Sequence, residues 1–198
     1  MDFGRLMKIF TAPRDYWNEV VGEPGDIKTL LIPQMLILAV LPSLSWFVGI
    51  LFGAFRMGPF MGRYLTGAIV GLILSYVTNI AVWIIMGIII NSLAQPFSAQ
   101  KDFDQSMKLA MGAVIPMWVG GVLNLIPVPF LGMLGSLAGL GYGAYFLYLG
   151  LPVMNGTTQD KAVGYTAAVI GIMFVVSLVL AVIAACPMSC MVATSLMR

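Results

Sequence analysis

The chain has 198 residues, of which 60% are hydrophobic and 9% are charged, and its mean hydropathy is +0.98. A soluble domain averages about 25% charged residues, so this composition excludes a soluble globular fold and predicts an all-α integral membrane protein. The net charge is +2 and there is no histidine. Three long stretches, 64–100, 109–159 and 162–197, contain no Asp, Glu, Lys or Arg.

Residues 1–28 are predicted to form a cytoplasmic, interfacial amphipathic segment. Apolar residues there recur at the spacing of one helix face, and a second short face follows Pro13. Two interpretations stay open: a membrane-surface helix that senses or shapes the cytoplasmic leaflet, or an anchor that begins the first span. Interrupting acidic residues argue against a cleaved signal peptide. The first face consists of Phe3, Leu6, Met7 and Phe10, and the second of Tyr16, Trp17, Val20 and Val21.

Residues 29–198 are predicted to form a domain of five transmembrane helices, since each crossing needs about 20 apolar residues. The apolar runs are continuous, whereas the strands of a membrane barrel alternate polar and apolar residues. Pro33 and Pro42 predict kinks in the first span, and the spacing of Asp104 and Lys108 predicts a solvated start for the third. The predicted spans are roughly 28–53, 64–93, 107–126, 131–154 and 164–188.

The distribution of Lys and Arg predicts the orientation of the chain. With five spans, seven of the ten Lys and Arg residues fall on the side of the N-terminus and three on the other side. Because cytoplasmic loops carry the excess of Lys and Arg, the N-terminus is predicted to be cytoplasmic and the C-terminus to lie outside.

The fourth span carries a stripe of small residues and a cluster of aromatic ones. Small residues in a membrane helix allow a neighbouring backbone to approach closely, so this helix is predicted to be the centre of the bundle. The candidate residues for helix packing or interaction are Gly132, Ser136, Gly139, Gly143, Tyr142 and Tyr145.

Uncharged polar residues inside the spans form the second candidate cluster. Intramembrane polar groups often mark function, and amides near prolines could line a transport path. The alternative is that these groups bond between helices as structural contacts. The candidates are Gln34, Ser75, Asn79 and Asn124.

Other chemistry finds little support in the sequence. Cys186 and Cys190, with Met188 and Met191 beside them, would suit copper(I), would permit a disulfide at an outer position, or simply pack at an apolar helix end. No catalytic, cofactor or metal residue is assigned. Without intramembrane acids, histidine clusters or a serine with a base, an enzyme is not expected.

The second half of the chain resembles a known family. The motifs are Asp102-Phe103, Pro116, 141–145 (GYGAY), 147–151 (LYLGL), 160–162 (DKA) and Tyr165-Thr166, with 10–13 (FTAP) and Trp17 near the N-terminus. In these it is similar to the Yip family of Ypt/Rab-interacting proteins, in particular the prokaryotic branch.

The resemblance implies a five-helix membrane domain with a cytoplasmic N-terminus, here in a prokaryotic cytoplasmic membrane. Eukaryotic members are associated with vesicle trafficking, membrane curvature and small GTPases. They carry a long N-terminal region with an Asp-Leu-Tyr-Gly-Pro motif that this sequence lacks, so binding of a small GTPase is not carried over.

These observations favour a non-enzymatic protein that organises or shapes the membrane through lipids, partner helices or copies of itself. The alternative is a passive channel or conduit for small solutes or lipids. No nucleic-acid partner is expected.

Overall fold

Eight α-helices follow one another in the computed structural model, which describes residues 3–22, 32–55, 61–126 and 128–196. No strand occurs within these ranges. A short 3₁₀ helix, Val122–Leu125, extends α6. The helices are α1 (Phe3–Thr11), α2 (Pro13–Val21), α3 (Ile32–Leu38), α4 (Val40–Phe55), α5 (Met61–Leu93), α6 (Phe103–Gly121), α7 (Pro129–Asn155) and α8 (Gln159–Leu196).

Five of the helical segments are long and apolar enough to cross a membrane, which confirms the predicted class of fold. The first is built from α3 and α4 together, and the third includes the 3₁₀ extension of α6. These candidate spans are Ile32–Phe52, Gly67–Leu93, Phe103–Leu125, Phe130–Asn155 and Gln159–Ile183.

The first span is interrupted at Ala39, which separates α3 from α4. The break lies three residues before Pro42, whose ring conflicts with the carbonyl of residue Leu38 in a regular helix and whose nitrogen cannot donate to it. The backbone hydrogen bond from Ala39 to Met35 is still formed at 2.9 Å. The interruption is therefore where the proline predicts a kink.

The centre of the bundle is α6, and the prediction that the fourth span would take this place is wrong. In the span of α6, 67% of the apolar window is buried, against 33% in the span of α7. Helices α4, α5 and α7 all contact α6. The glycines of α7 lie on one side of that helix and allow α6 to approach there. The opposite side of α7 stays exposed.

The end of the bundle at which α5 and α7 finish and α6 and α8 begin is called the base here. A segment between α5 and α6 ties these helix ends together. Thr157 donates to the Phe97 carbonyl at 2.9 Å, Lys161 donates to the Ser98 hydroxyl at 2.6 Å, and the rings of Phe97 and Tyr165 stack at 4.8 Å. At the base, the segment after α5 is therefore connected to Thr157 at the end of α7 and to the first turns of α8.

Asp102 caps α6 at the base, because its carboxylate accepts hydrogen bonds from the backbone N–H groups of Asp104 and Gln105. Six residues later, Lys108 is only 6% exposed and its Nζ lies 3.5 Å from the Val20 carbonyl oxygen of α2. The prediction of a solvated helix start is wrong for Lys108, because α2 packs over it.

Candidate functional site

Trp17 anchors the two N-terminal helices to the base. Its side chain is fully buried, and its indole N–H donates to the Phe146 carbonyl of α7 at 3.1 Å. Glycines on two helices make room for the ring. A Cβ atom added at Gly112 of α6 would lie 2.5 Å from the indole, and one added at Gly150 of α7 would lie 2.6 Å from it. Together Gly112 and Gly150 form a slot that Trp17 fills.

Helix α1 lies against α7 above this slot. The Tyr142 hydroxyl donates to the Ile9 carbonyl at 2.7 Å, and the rings of Tyr142 and Phe10 stack at 5.5 Å. Ile9 is buried, whereas Met7 is 52% exposed and Phe10 is 45% exposed. Of the two members of the predicted apolar face of α1 with described side chains, Phe10 therefore packs partly against Tyr142 of α7 and Met7 lies open, and the interfacial location of α1 stays a prediction.

An ion pair closes α1 onto α2. Lys8 of α1 bonds to Glu19 of α2, and both side chains are partly exposed. In α2, three residues of the predicted face, Tyr16, Trp17 and Val20, are buried, whereas the fourth, Val21, is exposed. The two helices therefore form a hairpin, residues 3–21, that is docked on the base through the buried side chains of α2 and through Ile9 and Phe10 of α1, with Met7 exposed on its outer side.

A cavity of about 220 Å³ opens where this hairpin meets the end of α7 and the start of α8. One cation and three neutral polar side chains contribute to its wall, the rest is apolar, and none of its lining residues is acidic. The lining residues are Arg14, Asn18, Tyr148, Leu149, Pro152, Val153 and Gln159.

The glycine stripe of α7 lies at the contact with α6 and its 3₁₀ extension. A Cβ atom at Gly139 would lie 2.7 Å from the Pro116 carbonyl oxygen, and one at Gly143 would lie 2.5 Å from that of Ala113. At Gly132 the added atom would overlap the side-chain oxygen of Asn124. These three positions belong to packing within the chain, so a partner helix would have to use another surface.

Three other candidates on α7 lie at or beyond the edge of this contact. Ser136 is exposed and donates back to the Gly132 carbonyl at 2.9 Å. Tyr142 contacts α1, as described above. Tyr145 is exposed and packs edge-on against Tyr142, with their ring centroids 5.9 Å apart. Tyr145 is therefore the aromatic residue of the group that a lipid or partner can reach.

The predicted polar cluster does not converge on one place among the described contacts. Asn79 donates to the carbonyl of Ser75, 2.8 Å away, within α5. Asn124 is exposed and donates to the Gly121 carbonyl at 2.9 Å. Gln34 is half-buried on α3. Among the described residues no hydrogen bond joins these local sites, and none of the four lines the cavity at the base.

Sequence reasoning missed the slot and the cavity. Gly112 and Gly150 are 38 positions apart, so no local pattern pairs them with Trp17. In the sequence, Arg14 contributes to the positive charge of the N-terminal segment, and Tyr148 belongs to the 147–151 motif and to the aromatic cluster of the fourth span, and neither pattern indicates a cavity. A usable signal was the single tryptophan in a segment otherwise rich in charged residues, because such a ring needs burial.

Metal chemistry has no support in the part of the chain that the structure describes, where no group of three His, Cys, Asp or Glu residues could hold an ion. The side chains of Cys186 and Cys190 lie outside the described residues, so their pairing and ligands stay open.

Five apolar helices with neutral polar contacts and a hairpin docked at one end define an integral membrane protein. Residues 7–181 match the Yip1 domain, and the chain therefore belongs to the Yip1 domain family, a family of non-enzymatic membrane proteins. No curated protein and no solved structure matches the chain.

Proposed function

We propose that this member of the Yip1 domain family organises or shapes the membrane without catalysing a reaction. The observation that carries the proposal is the hairpin docked at the base, held by Trp17 while Met7 and Phe10 remain about half exposed. A hairpin present at one end of a bundle adds cross-section to one leaflet only. Apolar side chains on its outer side would insert beside lipid headgroups.

A second exposed surface, apart from the hairpin, is available to bind partner helices. Between residues 172 and 183, α8 leaves most of its apolar side chains exposed, including Phe174 and Val182. In a bilayer such a surface meets lipid or another helix. The proposed partners are therefore membrane lipids, other membrane proteins or a second copy of this chain.

The alternative function, a passive conduit, has weaker support. The cavity at the base is not lined by Gln34, Asn79 or Asn124, and the Asn79 amide is bonded within its own helix. A conduit predicts that vesicles containing the protein release a trapped small solute and that Asn79→Leu slows the release. Vesicles that retain the solute exclude a solute conduit, and vesicles in which a labelled lipid does not exchange between leaflets exclude a lipid conduit.

The shaping role is tested with the protein reconstituted into liposomes whose size and shape are measured by electron cryomicroscopy. We expect the wild-type protein to reduce vesicle diameter or produce tubules, and the double variant Met7→Gln/Phe10→Gln to lose at least half of this effect. Phe103→Gln is the matched control, because Phe103 is also exposed at the base but lies outside the hairpin. Unchanged vesicles with the wild-type protein would contradict the proposal.

A further inference from the structure

We infer that the cavity between α2, α7 and α8 is a binding site for the phosphate headgroup of an anionic phospholipid. The inference rests on the proposed function for its lipid context and adds to it a site and a class of ligand. It is carried by the charge of the cavity wall, its size and the exposed apolar surface that continues from it.

The wall of the cavity offers hydrogen-bond donors without competing acids. Arg14, Asn18 and Tyr148 have no hydrogen-bond or ionic partner among the described residues. A guanidinium group binds phosphate oxygens through paired N–H donors, and the amide and phenol groups can donate to the same oxygens. Because none of the lining residues is acidic, the wall favours an anion.

The nearest acids do not reverse this preference. Asp15 and Asp160 adjoin the lining residues Arg14 and Gln159 in sequence, but both are exposed and neither lines the cavity. Glu19 of the same helix as Arg14 is already paired with Lys8. Arg14 therefore remains the charge that an incoming anion meets in the cavity.

The volume suits a headgroup. Pockets for drug-sized ligands have about 300–1,000 Å³, so about 220 Å³ holds a smaller group. The cavity lies at the last two turns of α7, next to the first residue of α8. This is the depth of the bundle where membrane helices meet the polar surface of the bilayer.

An apolar surface leads from the cavity along α7. Above Leu149 and Val153, the exposed positions Tyr145, Gly141 and Ala138 follow at the spacing of one helix face. A Cβ atom added at Gly141 would meet nothing within 4 Å, so no other described part of the chain covers this face at that position. An acyl chain attached to a headgroup in the cavity can lie along it.

The site is tested on the full chain in neutral detergent, titrated with dihexanoyl phosphatidylglycerol while the bound lipid is counted by native mass spectrometry. We expect Arg14→Gln to weaken binding about tenfold, since a hydrogen bond to a charged group is lost, and Tyr148→Phe to weaken it about fivefold. Lys101→Gln removes an equal charge at the base outside the cavity and is expected to change binding by less than about twofold.

Two further ligands test whether the site binds a lipid or a free phosphate compound, and whether it needs a net negative charge. Glycerol phosphate carries the headgroup without acyl chains, and dihexanoyl phosphatidylcholine carries a phosphate without net charge. Both are expected to bind more weakly than phosphatidylglycerol. Equal binding of glycerol phosphate would overturn the lipid assignment, and equal binding of phosphatidylcholine would overturn the preference for an anion.

The remaining outcomes are equally decisive. If lipid binding does not change in Arg14→Gln, or falls equally in Lys101→Gln, the lipid does not bind in the cavity, and the cause of binding is the general charge of the surface. Failure of this site leaves vesicle shaping by the wild-type protein intact. Conversely, headgroup binding that depends on Arg14 in a protein that leaves vesicles unchanged would retain the site and reject the shaping role.

Discussion

Trp17 shows how one side chain turns a polar N-terminal segment into part of a membrane bundle. Its indole loses contact with water completely, and its N–H is satisfied by the Phe146 carbonyl. A buried indole without such a partner would carry the cost of an unpaired donor. The slot made by Gly112 and Gly150 therefore does two things: it admits the ring and brings the donor to its acceptor.

Filling the slot should release the hairpin. Gly150→Ala places a methyl group 2.6 Å from both the Trp17 indole and the Leu109 side chain, and overpacking of this kind costs about 1–3 kcal/mol. We expect a lower thermal unfolding midpoint in detergent and faster trypsin cleavage after Arg14, because α2 must detach for the protease to reach it.

The contact between Trp17 and Gly150 can be isolated with a second substitution, at position 17. Trp17→Phe removes the part of the indole that the new methyl group meets, so the double variant should be no less stable than Trp17→Phe alone. In a double-mutant cycle this appears as a coupling free energy between positions 17 and 150. Additive effects of the two substitutions would show that Gly150 does not hold the ring.

The local sequence contains part of this arrangement and omits the rest. The sequence predicts a helix face of Tyr16, Trp17, Val20 and Val21, and the structure buries all of it except Val21. What that face packs against depends on residues on α6 and α7 that no local pattern connects to it. Lys108 shows the same limit, since its spacing from Asp104 indicates solvent and only the position of α2 explains its burial.

At the scale of helices, the contact between α6 and α7 holds the centre of the bundle. The two backbones meet directly: a Cβ atom at Gly135 would lie 2.5 Å from the Gly120 carbonyl oxygen, and one at Gly139 would lie 2.9 Å from the Met117 Cα. The sequence predicts a close-packing helix in α7 from its glycines. It cannot say which neighbour uses them, and α6 becomes the central helix because α4, α5 and α7 all surround it.

Gly139→Ala should destabilise the bundle more than Gly150→Ala does. The atoms that the new methyl group meets at position 139 are backbone atoms of Pro116 and Met117, which cannot rotate away as a side chain can. We expect a loss of about 3 kcal/mol in the free energy of unfolding, at the upper end of the usual cost of overpacking, measured by unfolding in mixed detergent and SDS.

Gly141→Ala is the matched control for this prediction. Position 141 lies on the same helix, two residues away, and a Cβ atom there meets nothing within 4 Å. Its free energy of unfolding should stay within about 0.5 kcal/mol of the wild-type value, as for most substitutions away from packed features. Equal losses at positions 139 and 141 would contradict the assignment of the α6–α7 contact.

At the scale of the whole molecule, the fold gathers charged side chains of both signs at one end. Lys8, Arg14, Lys101, Lys108 and Lys161 belong to the hairpin, to the segment between α5 and α6, or to the first two turns of α6 and α8. The same elements carry the acids Asp15, Glu19, Asp102, Asp104 and Asp160. All of these elements lie at the base. The Lys and Arg residues that set the predicted orientation therefore lie among acids at the base, where Lys108 is buried and the proposed headgroup site adjoins the cation Arg14.

The orientation that follows from this surface can be measured with single cysteines. We expect Lys101→Cys, in a background with Cys186→Ser and Cys190→Ser, to react with a membrane-impermeant maleimide in inside-out vesicles and to stay unlabelled in right-side-out ones, because cytoplasmic loops hold the excess of Lys and Arg. Val128→Cys, exposed between α6 and α7 at the opposite end, should show the reverse pattern.

Labelling of Lys101→Cys in right-side-out vesicles would place the base outside the cell. The hairpin and the Arg14 cavity would then face the outer leaflet, so this one measurement also decides which leaflet the proposed shaping and headgroup binding act upon.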